Sequence, residues 1–481
     1  MLALINTNIM TPPIAPVGLD YIASVTNSLG VKTEILDLSG EPDKQFGIKK
    51  FFSNKNPSLV GLSFRNIDDC FWPSAKTFLP DLKTCVEKVK AVTDAPIVLG
   101  GVGFSILAER ILRYSGADFG IHGDGEYATA ALYRQETGGK KFNEVPGLLW
   151  RNGKEIVTNP PAWPAQISIE TKRDAIDNVT YFRLGGQIGV ETKRGCNRNC
   201  LYCADPIAKG RLTRVRNPKE IAAEVSALVE KGIDVFHICD CEFNIPPQHA
   251  FAVCDELIRT GLNKKIKWYV YLSTVPFSNE LAEIMKKAGC VGINFTGDSA
   301  STKMLKTYRQ MHLKSDIALA VKYCRQNNIK VMIDLLLGGP GETAETVKET
   351  IDFIKSVNPD CAGASLGVRI YPGTEMEKTV LSQGNLERNP NIKRKYQGQA
   401  DFLFPTFYIS HLLGERPAKL VGDLIGDDKR FFPPADETLS ENKDHNYNDN
   451  TRLVEAIKNG ARGAYWDILR QITEQDKNRA L

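Results

Sequence analysis

Ile188-Gly-Val-Glu-Thr-Lys-Arg-Gly-Cys196-Asn-Arg-Asn-Cys200-Leu-Tyr-Cys203 decides how the chain is read. An apolar strand, Ile188 to Lys193, runs into a loop carrying three cysteines within eight residues. Three thiolates that close together wrap one face of a small inorganic cluster. A structural zinc site asks for four ligands, usually as two separated C-x2-C pairs. The nearest further cysteines, Cys239 and Cys241, are spaced C-x-C at the end of another predicted strand. Two readings stand at this point: a structural metal site, or a four-iron cluster with one iron left open to a substrate or cofactor.

Working outward, strands alternate with helices. Downstream strands are predicted at Val235 to Asp240, Lys267 to Ser273, Val291 to Thr296, Lys330 to Leu337 and Gly363 to Ile370. Asn217-Pro218 opens a helix with a capping side chain and a first-turn proline, and Gly232 ends it. Six such units are too few for a closed eight-stranded barrel and fit an open, partial one. Upstream, strands are predicted at Leu2 to Asn6, Lys32 to Asp37, Ser58 to Phe64, Pro96 to Leu99 and Phe119 to His122. Helices are read at Gly18 to Leu29, Ser74 to Val92, Leu107 to Ser115 and Tyr127 to Gln135, which gives a doubly wound parallel sheet. Asn152-Gly153 marks a hairpin, and Pro160, Pro161 and Pro164 mark a linker. Asp436 to Asn450 reads as a loop and Arg452 to Ala480 as a helix. The expected division is 1–145, 146–185, 186–385 and 386–481.

Composition bounds the function. The 481 residues are 42% hydrophobic and 25% charged, as in globular proteins, and the net charge is only +4. Neither a nucleic-acid arm nor a run of about 18 apolar residues is present. The expectation is a cytoplasmic enzyme that binds no nucleic acid and spans no membrane. Eleven cysteines, an odd number, argue for metal or redox chemistry over disulfides. Those outside the loop are read as core residues, with Cys241 the one near a site.

Cys-x3-Cys-x2-Cys after the first strand of a partial barrel resembles the radical S-adenosylmethionine (SAM) enzymes, from about Ile188 to Thr374. The resemblance implies that Cys196, Cys200 and Cys203 ligate a 4Fe-4S cluster and that Tyr202 lies beside the adenine. Asp240-Cys-Glu242 is similar to the family's Gly-Gly-Glu motif with both glycines replaced, so Glu242 alone is carried over, for the methionine amino group. Phe295-Thr-Gly-Asp298-Ser-Ala-Ser301 resembles the fourth-strand segment, whose acid, here Asp298, contacts the ribose. Leu335-Leu-Leu-Gly338-Gly-Pro-Gly341-Glu-Thr343 and Arg369-Ile-Tyr-Pro372-Gly-Thr374 resemble the fifth- and sixth-strand endings. Ser273 and Gly338 complete the implied SAM site. The family's chemistry is a 5′-deoxyadenosyl radical made by one-electron cleavage of SAM, with the cofactor doing the difficult step.

Residues 1 to 160 resemble the Rossmann-like cobalamin-binding domain that precedes the barrel in cobalamin-dependent members. The resemblance rests on Thr11-Pro-Pro-Ile-Ala-Pro16-Val-Gly18, Ser63-Phe-Arg65-Asn66-Ile-Asp68, Val98-Leu-Gly100-Gly101-Val-Gly103-Phe-Ser105 and Ile121-His-Gly123-Asp-Gly125-Glu126. It implies a cobalamin site of Pro16, Ser63, Arg65, Asn66, Gly100, Gly101, Ser105, Gly123 and Glu126. No Asp-x-His-x-x-Gly motif offers a lower axial histidine. Arg65 or Asn66 is the alternative there, and His122 reads as structural. The implied fold is therefore α/β, a Rossmann-like doubly wound sheet followed by a partial (β/α)6 TIM-type barrel, with a small, mostly helical C-terminal region whose Phe404 to Ser410 segment closes the substrate side. The implied activity is methyl transfer to an unactivated carbon. A small-molecule, lipid or peptide substrate and an electron donor such as flavodoxin or ferredoxin are expected. The alternatives are a non-methylating radical reaction, an RNA methylthiotransferase, a domain that has lost cobalamin, and a non-catalytic cobalamin or redox sensor.

Overall fold

The structure is a computed structural model that describes residues 1–396, 402–435 and 446–480, without the side chains of 477–480. The first sheet comprises β1 (Leu2–Asn6), β2 (Thr33–Asp37), β3 (Leu59–Ser63), β4 (Ile97–Gly100), β5 (Phe119–Ile121), β6 (Leu148–Asn152) and β7 (Glu155–Thr158), in the order β2-β1-β3-β4-β5-β6-β7. The first five strands are parallel. The Asn152-Gly153 hairpin adds β6 and β7 to this sheet in antiparallel fashion. Strand alternation sorts β1 onto two faces. Leu2 and Leu4 pack with Leu19, Ala23 and Leu132, while Ala3 and Ile5 pack with Leu79, Leu82 and Val86.

Three short strands, β8 (Gln166–Ile167), β10 (Lys193–Arg194) and β11 (Arg214–Arg216), form a small sheet between the two large ones. The second large sheet comprises β9 (Ile188–Val190), β12 (Val235–Ile238), β13 (Lys267–Ser273), β14 (Cys290–Asp298), β15 (Lys330–Leu337) and β16 (Cys361–Leu366), all parallel and open. Phe236, Trp268, Val270, Ile293, Ile333 and Leu335 face outward into the helical layer. The alternate residues line a lumen in tiers. At its floor Val235, Tyr269, Met332 and Cys361 pack against Trp466 of the C-terminal helix, Tyr465–Ala480. Tyr269 donates a hydrogen bond to Asp467 at 2.8 Å. The chain's end thus stoppers the amino-terminal mouth of the barrel.

The tail also contributes strands. After β17 (Val368–Arg369), β18 (Ile392–Arg394) and β19 (Thr406–Tyr408) make a three-stranded antiparallel patch, and β20 (Phe431–Phe432) extends the barrel sheet beside β16. Three expectations are corrected. The helix read at Ser74 to Val92 begins at Leu79, with Pro80 in its first turn. The helix read at Arg452 to Ala480 is two, Thr451–Lys458 and Tyr465–Ala480, parted by Gly460 and Gly463 at φ of +100° and +141°. Cys70 and Cys239 are exposed, and not core filler. Of the loop read at Asp436 to Asn450, residues 436–445 lie outside the described residues. No helix among the described residues is long and apolar enough to cross a membrane.

A charged cluster welds the two large sheets together. Arg173 reaches Asp20 at 2.7 Å and Glu224 at 2.8 Å, and Arg216 reaches Glu224 at 2.7 Å, all with side chains 0% exposed. The Tyr21 hydroxyl donates to Glu224 at 2.9 Å and accepts from Arg216 at 3.0 Å. Trp163, from the proline-rich stretch, fills the seam beside it. A Cβ on Gly123 or Gly210 would lie 2.8 or 2.9 Å from its ring. Removing one partner of a buried ion pair leaves an uncompensated charge, at about 3–5 kcal/mol. Glu224→Ala therefore lowers the thermal midpoint by an amount equivalent to about 3 kcal/mol or more. A midpoint equal to wild type would show that the cluster does not hold the sheets.

Candidate active site

The cysteine loop is fixed from both ends. Arg194, two residues before Cys196, lays its guanidinium on Glu126 of the first sheet, at 3.0 and 2.6 Å, and on Glu191 at 2.7 Å. Burial alone would raise the Glu126 carboxyl, but Arg194 holds it below the usual carboxylate range. On the far side, the Leu201 amide donates to the Tyr308 carbonyl at 3.0 Å. The three thiols lie close enough to act on one another. Burial, followed by Asp298 and Cys196, pushes Cys200 up to about 12. Burial, Asp205 and the other two thiols raise Cys203 as well. Among the described residues, no three His, Cys, Asp or Glu side chains converge as one metal ion would need. A four-iron cluster asks for less, because each thiolate takes a separate iron. Neither Cys239 nor Cys241 supplies a fourth thiol. Cys241 faces Lys209 at 3.7 Å, and Cys239 sits against Gly189.

Above the lumen, β12 to β15 deliver polar groups to the same place. Asp298 follows a bulge in β14 and sits at φ +53°. Its carboxylate accepts from the Tyr202 hydroxyl at 2.9 and 2.7 Å and from Gln310. Burial pushes it up to about 6. Glu242 accepts from Thr296 at 3.1 Å through one oxygen, while the other is buried with no partner. Burial pushes its carboxyl up to about 8, against the Thr296 hydrogen bond. Ser273 is clamped to the loop after β12 by Asn244, at 3.2 Å to its amide and 2.8 Å to its carbonyl. Gly338, at φ +94°, donates to Glu342 and accepts from the Ser410 amide at 2.8 Å. A Cβ on Gly339 would lie 2.3 Å from the Tyr308 hydroxyl.

The middle tier of the lumen holds His237, Tyr271, Asn294 and Asp334. His237 lies against the Tyr271 ring, with centroids 5.0 Å apart. Burial pushes Asp334 up to about 6, opposed by Asn294, and no cation is among the groups acting on it. Arg65, from the loop after β3, is exposed, yet its charge acts on His237, Cys239 and Tyr271 in the lumen. Cys239 is exposed while burial pushes its thiol up to about 11. Both observations put the carboxyl edges of the two large sheets against one another, with a recess between them, here called the chamber.

The expected cobalamin residues divide. Glu126 is spent on Arg194. Ser105 accepts the Gly123 amide at 3.1 Å. A Cβ on Gly101 would lie 2.8 Å from the Phe64 carbonyl, and Gly123 is packed under Trp163. These four serve loop-to-loop packing. Pro16 is buried at the start of the Val17–Ser28 helix, where its carbonyl accepts from Leu19 at 2.9 Å. Ser63, Arg65, Asn66 and Gly100 remain at the chamber side, and nothing lies within 4 Å of a Cβ on Gly100.

Comparison with known proteins fits this geometry. The Radical SAM superfamily model matches residues 190–354, and the B12 binding domain model matches residues 10–133. A tryptophan 2-C-methyltransferase from Streptomyces laurentii is 27% identical, over 96% of this chain and 95% of its own. The radical SAM methyltransferase TsrM from Kitasatospora setae, solved with tryptophan and a SAM analogue, superposes with TM-score 0.90 at 27% identity, covering 100% of this chain and 99% of that one. The chain belongs to the cobalamin-dependent radical SAM enzymes. The radical SAM enzyme OxsB with aqua-cobalamin has the same fold, with TM-score 0.71 at 18% identity over 85% of this chain and 64% of that one.

The residues of this radical SAM enzyme suit its cofactors, a 4Fe-4S cluster, SAM and cobalamin. Three desolvated thiols ionise only beside a strong positive charge, which a coordinating iron provides. The unpaired oxygen of Glu242 is costly until a cation meets it. The open carboxyl edge of a doubly wound sheet is where such folds take ligands. Four lumen residues were not foreseen, although polar side chains at alternate positions in otherwise apolar strands were a usable signal. Gln310 had none, because it is brought to Cys200 and Asp298 by tertiary folding alone.

Proposed function

We propose that this enzyme transfers a methyl group to an unactivated carbon of a small aromatic substrate held in the chamber. The observation that carries this is the polar tier of His237, Tyr271, Asn294 and Asp334, between an apolar floor and the edge that bears Glu242 and the cysteine loop. When bound, the cluster, SAM and cobalamin supply the methyl group and the one-electron chemistry. The protein's own part is placement. Cys196, Cys200 and Cys203 present the cluster to the chamber. Tyr202, Glu242, Ser273, Asp298 and Gly338 hold SAM, with Glu242 receiving its ammonium through a charge-assisted hydrogen bond. Ser63, Arg65, Asn66 and Gly100 would hold cobalamin at the carboxyl edge of the first sheet. Asp334 accepts an N–H of the substrate, and the rings of Tyr271 and His237 flank its aromatic body. Tryptophan, for which the relative from Streptomyces laurentii is named, is the first candidate.

Two outcomes test this reading. Enzyme reconstituted anaerobically with iron, sulfide, cobalamin and SAM is expected to give S-adenosylhomocysteine and a product heavier by one methyl from L-tryptophan or an indole relative. Production of 5′-deoxyadenosine without any methylated product would favour a non-methylating radical reaction instead. The second outcome is a pH dependence. Glu242 holds its proton below about 8, and only the carboxylate pairs with an ammonium. SAM affinity therefore rises with pH between about 6 and 7.5, by up to roughly tenfold per unit. In Glu242→Gln the affinity falls and this rise disappears. An unchanged slope in the variant would remove Glu242 from the SAM site.

A further inference from the structure

The barrel sheet is open, with β9 at one edge and β20, beside β16, at the other. The tail packs against both edges. Tyr447, Ala464 and Trp466 meet Phe182, from the helix Asn178–Gly185 before β9, and also Cys361 of β16 and Phe432 of β20. Ala464 and Trp466 are buried, whereas Tyr447 is half-buried. The Tyr447 ring lies edge-on to Tyr465, with centroids 5.9 Å apart. Asp334, Tyr271 and Cys361 all act on its hydroxyl, which places that hydroxyl between the polar tier and the floor. Among the described residues the hydroxyl has no hydrogen-bond partner.

The segment that carries Tyr447 crosses to the first sheet and is held there lightly. The Asn448 side chain accepts from the Thr11 amide at 3.1 Å, and the Asp449 amide donates to the Thr11 carbonyl at 2.7 Å. Lys76, from the loop after β3, reaches Asp449 at 2.9 Å, with both side chains exposed. An exposed ion pair contributes little, whereas the buried Arg173–Glu224–Arg216 and Arg194–Glu126 contacts are costly to break. The buried joints therefore fix the two sheets, and the exposed one is a latch. At the latch a surface recess of about 650 Å³ is lined by Thr11, Asp449, Thr451, Val454, Glu455 and Lys458. That volume is in the range of small-molecule sites.

We propose that residues 446–450 are the gate of the chamber, and that Tyr447 is the side chain that closes it over the substrate. The inference rests on the reading that the substrate occupies the barrel lumen. When the Thr11 and Lys76 contacts part, the segment leaves the first sheet and draws Tyr447 out of the lumen wall. The surface recess then opens onto the polar tier. When the contacts re-form, Tyr447 covers the substrate and keeps water out, as closing loops do in other enzymes. Local release of a few exposed polar contacts leaves the buried joints, and so the placement of the two sheets, undisturbed.

The test follows two rates in the anaerobic holoenzyme, without turnover. Hydrogen exchange read by mass spectrometry reports the peptide with the Asp449 amide. Alkylation by iodoacetamide, assigned by peptide, reports Cys239, the exposed thiol of the chamber. In wild type the Asp449 peptide is expected to exchange about tenfold or more faster than the peptides with Arg173 and Glu224. Lys76→Glu sets a second carboxylate against Asp449 and speeds both rates about threefold or more. Salt then acts with opposite sign. It speeds both rates in wild type by screening an attraction, and slows both in the variant by screening a repulsion. Adding Asp449→Lys to Lys76→Glu restores the wild-type rates, and Tyr447→Ala speeds the alkylation. Exchange at Asp449 as slow as at the buried joints would overturn the proposal. So would Cys239 alkylation that ignores Lys76→Glu while the exchange responds to it. The expected responses in an enzyme that methylates nothing would strike the methyl-transfer reading and leave the gate standing.

Discussion

The Arg194–Glu126 fork is the constraint on which the remaining geometry depends. It joins the turn after β5 of the first sheet to the residues just before Cys196, with both carboxylate oxygens engaged. A charge-assisted, bidentate contact fixes orientation as well as distance. It therefore sets where the cluster loop stands relative to the sheet opposite. The Arg173–Glu224–Arg216 cluster repeats the device on the flank, and Trp163 fills the space between. Buried ion pairs contribute little net stability against apolar packing, and their use here is to specify one arrangement of two sheets.

That arrangement makes one chamber from two edges. Each large parallel sheet carries its ligand-binding loops at its carboxyl end. Facing the ends towards each other puts Arg65 from one sheet within electrostatic reach of His237, Cys239 and Tyr271 from the other. The barrel lumen is then a graded vessel. Its floor is closed by Trp466, its middle tier is polar, and its rim bears Tyr202, Glu242 and Asp298. The C-terminal helix is as much a part of this vessel as the strands, because it closes the end opposite the rim.

Much of this was legible in the sequence, for physical reasons. Buried parallel strands must be apolar and helices must be capped, so the strands at Leu2–Asn6, Lys267–Ser273 and Lys330–Leu337 match their predicted limits. The cysteine spacing located the loop. What remained illegible depended on contacts far apart in sequence. The resemblance carried Glu126 over as a cobalamin residue, with nothing in the sequence to show that its carboxylate meets Arg194, 68 residues away. It carried Gly101 and Gly123 over too, without showing that their missing side chains leave space for Phe64 and Trp163. Gln310 and Asn244 carry no local motif. The helix read at Arg452 to Ala480 passes over Gly460 and Gly463, whose positive φ parts it into two.

The central claim is that one chamber holds both metal centres within reach of a shared substrate. The most direct measurement is electron paramagnetic resonance of the holoenzyme with cobalamin as cob(II)alamin and the cluster reduced by one electron. The account predicts two spins in magnetic contact, with the cobalt signal split or its relaxation accelerated by the cluster. Two unperturbed, additive signals would place the centres in separate compartments and contradict it.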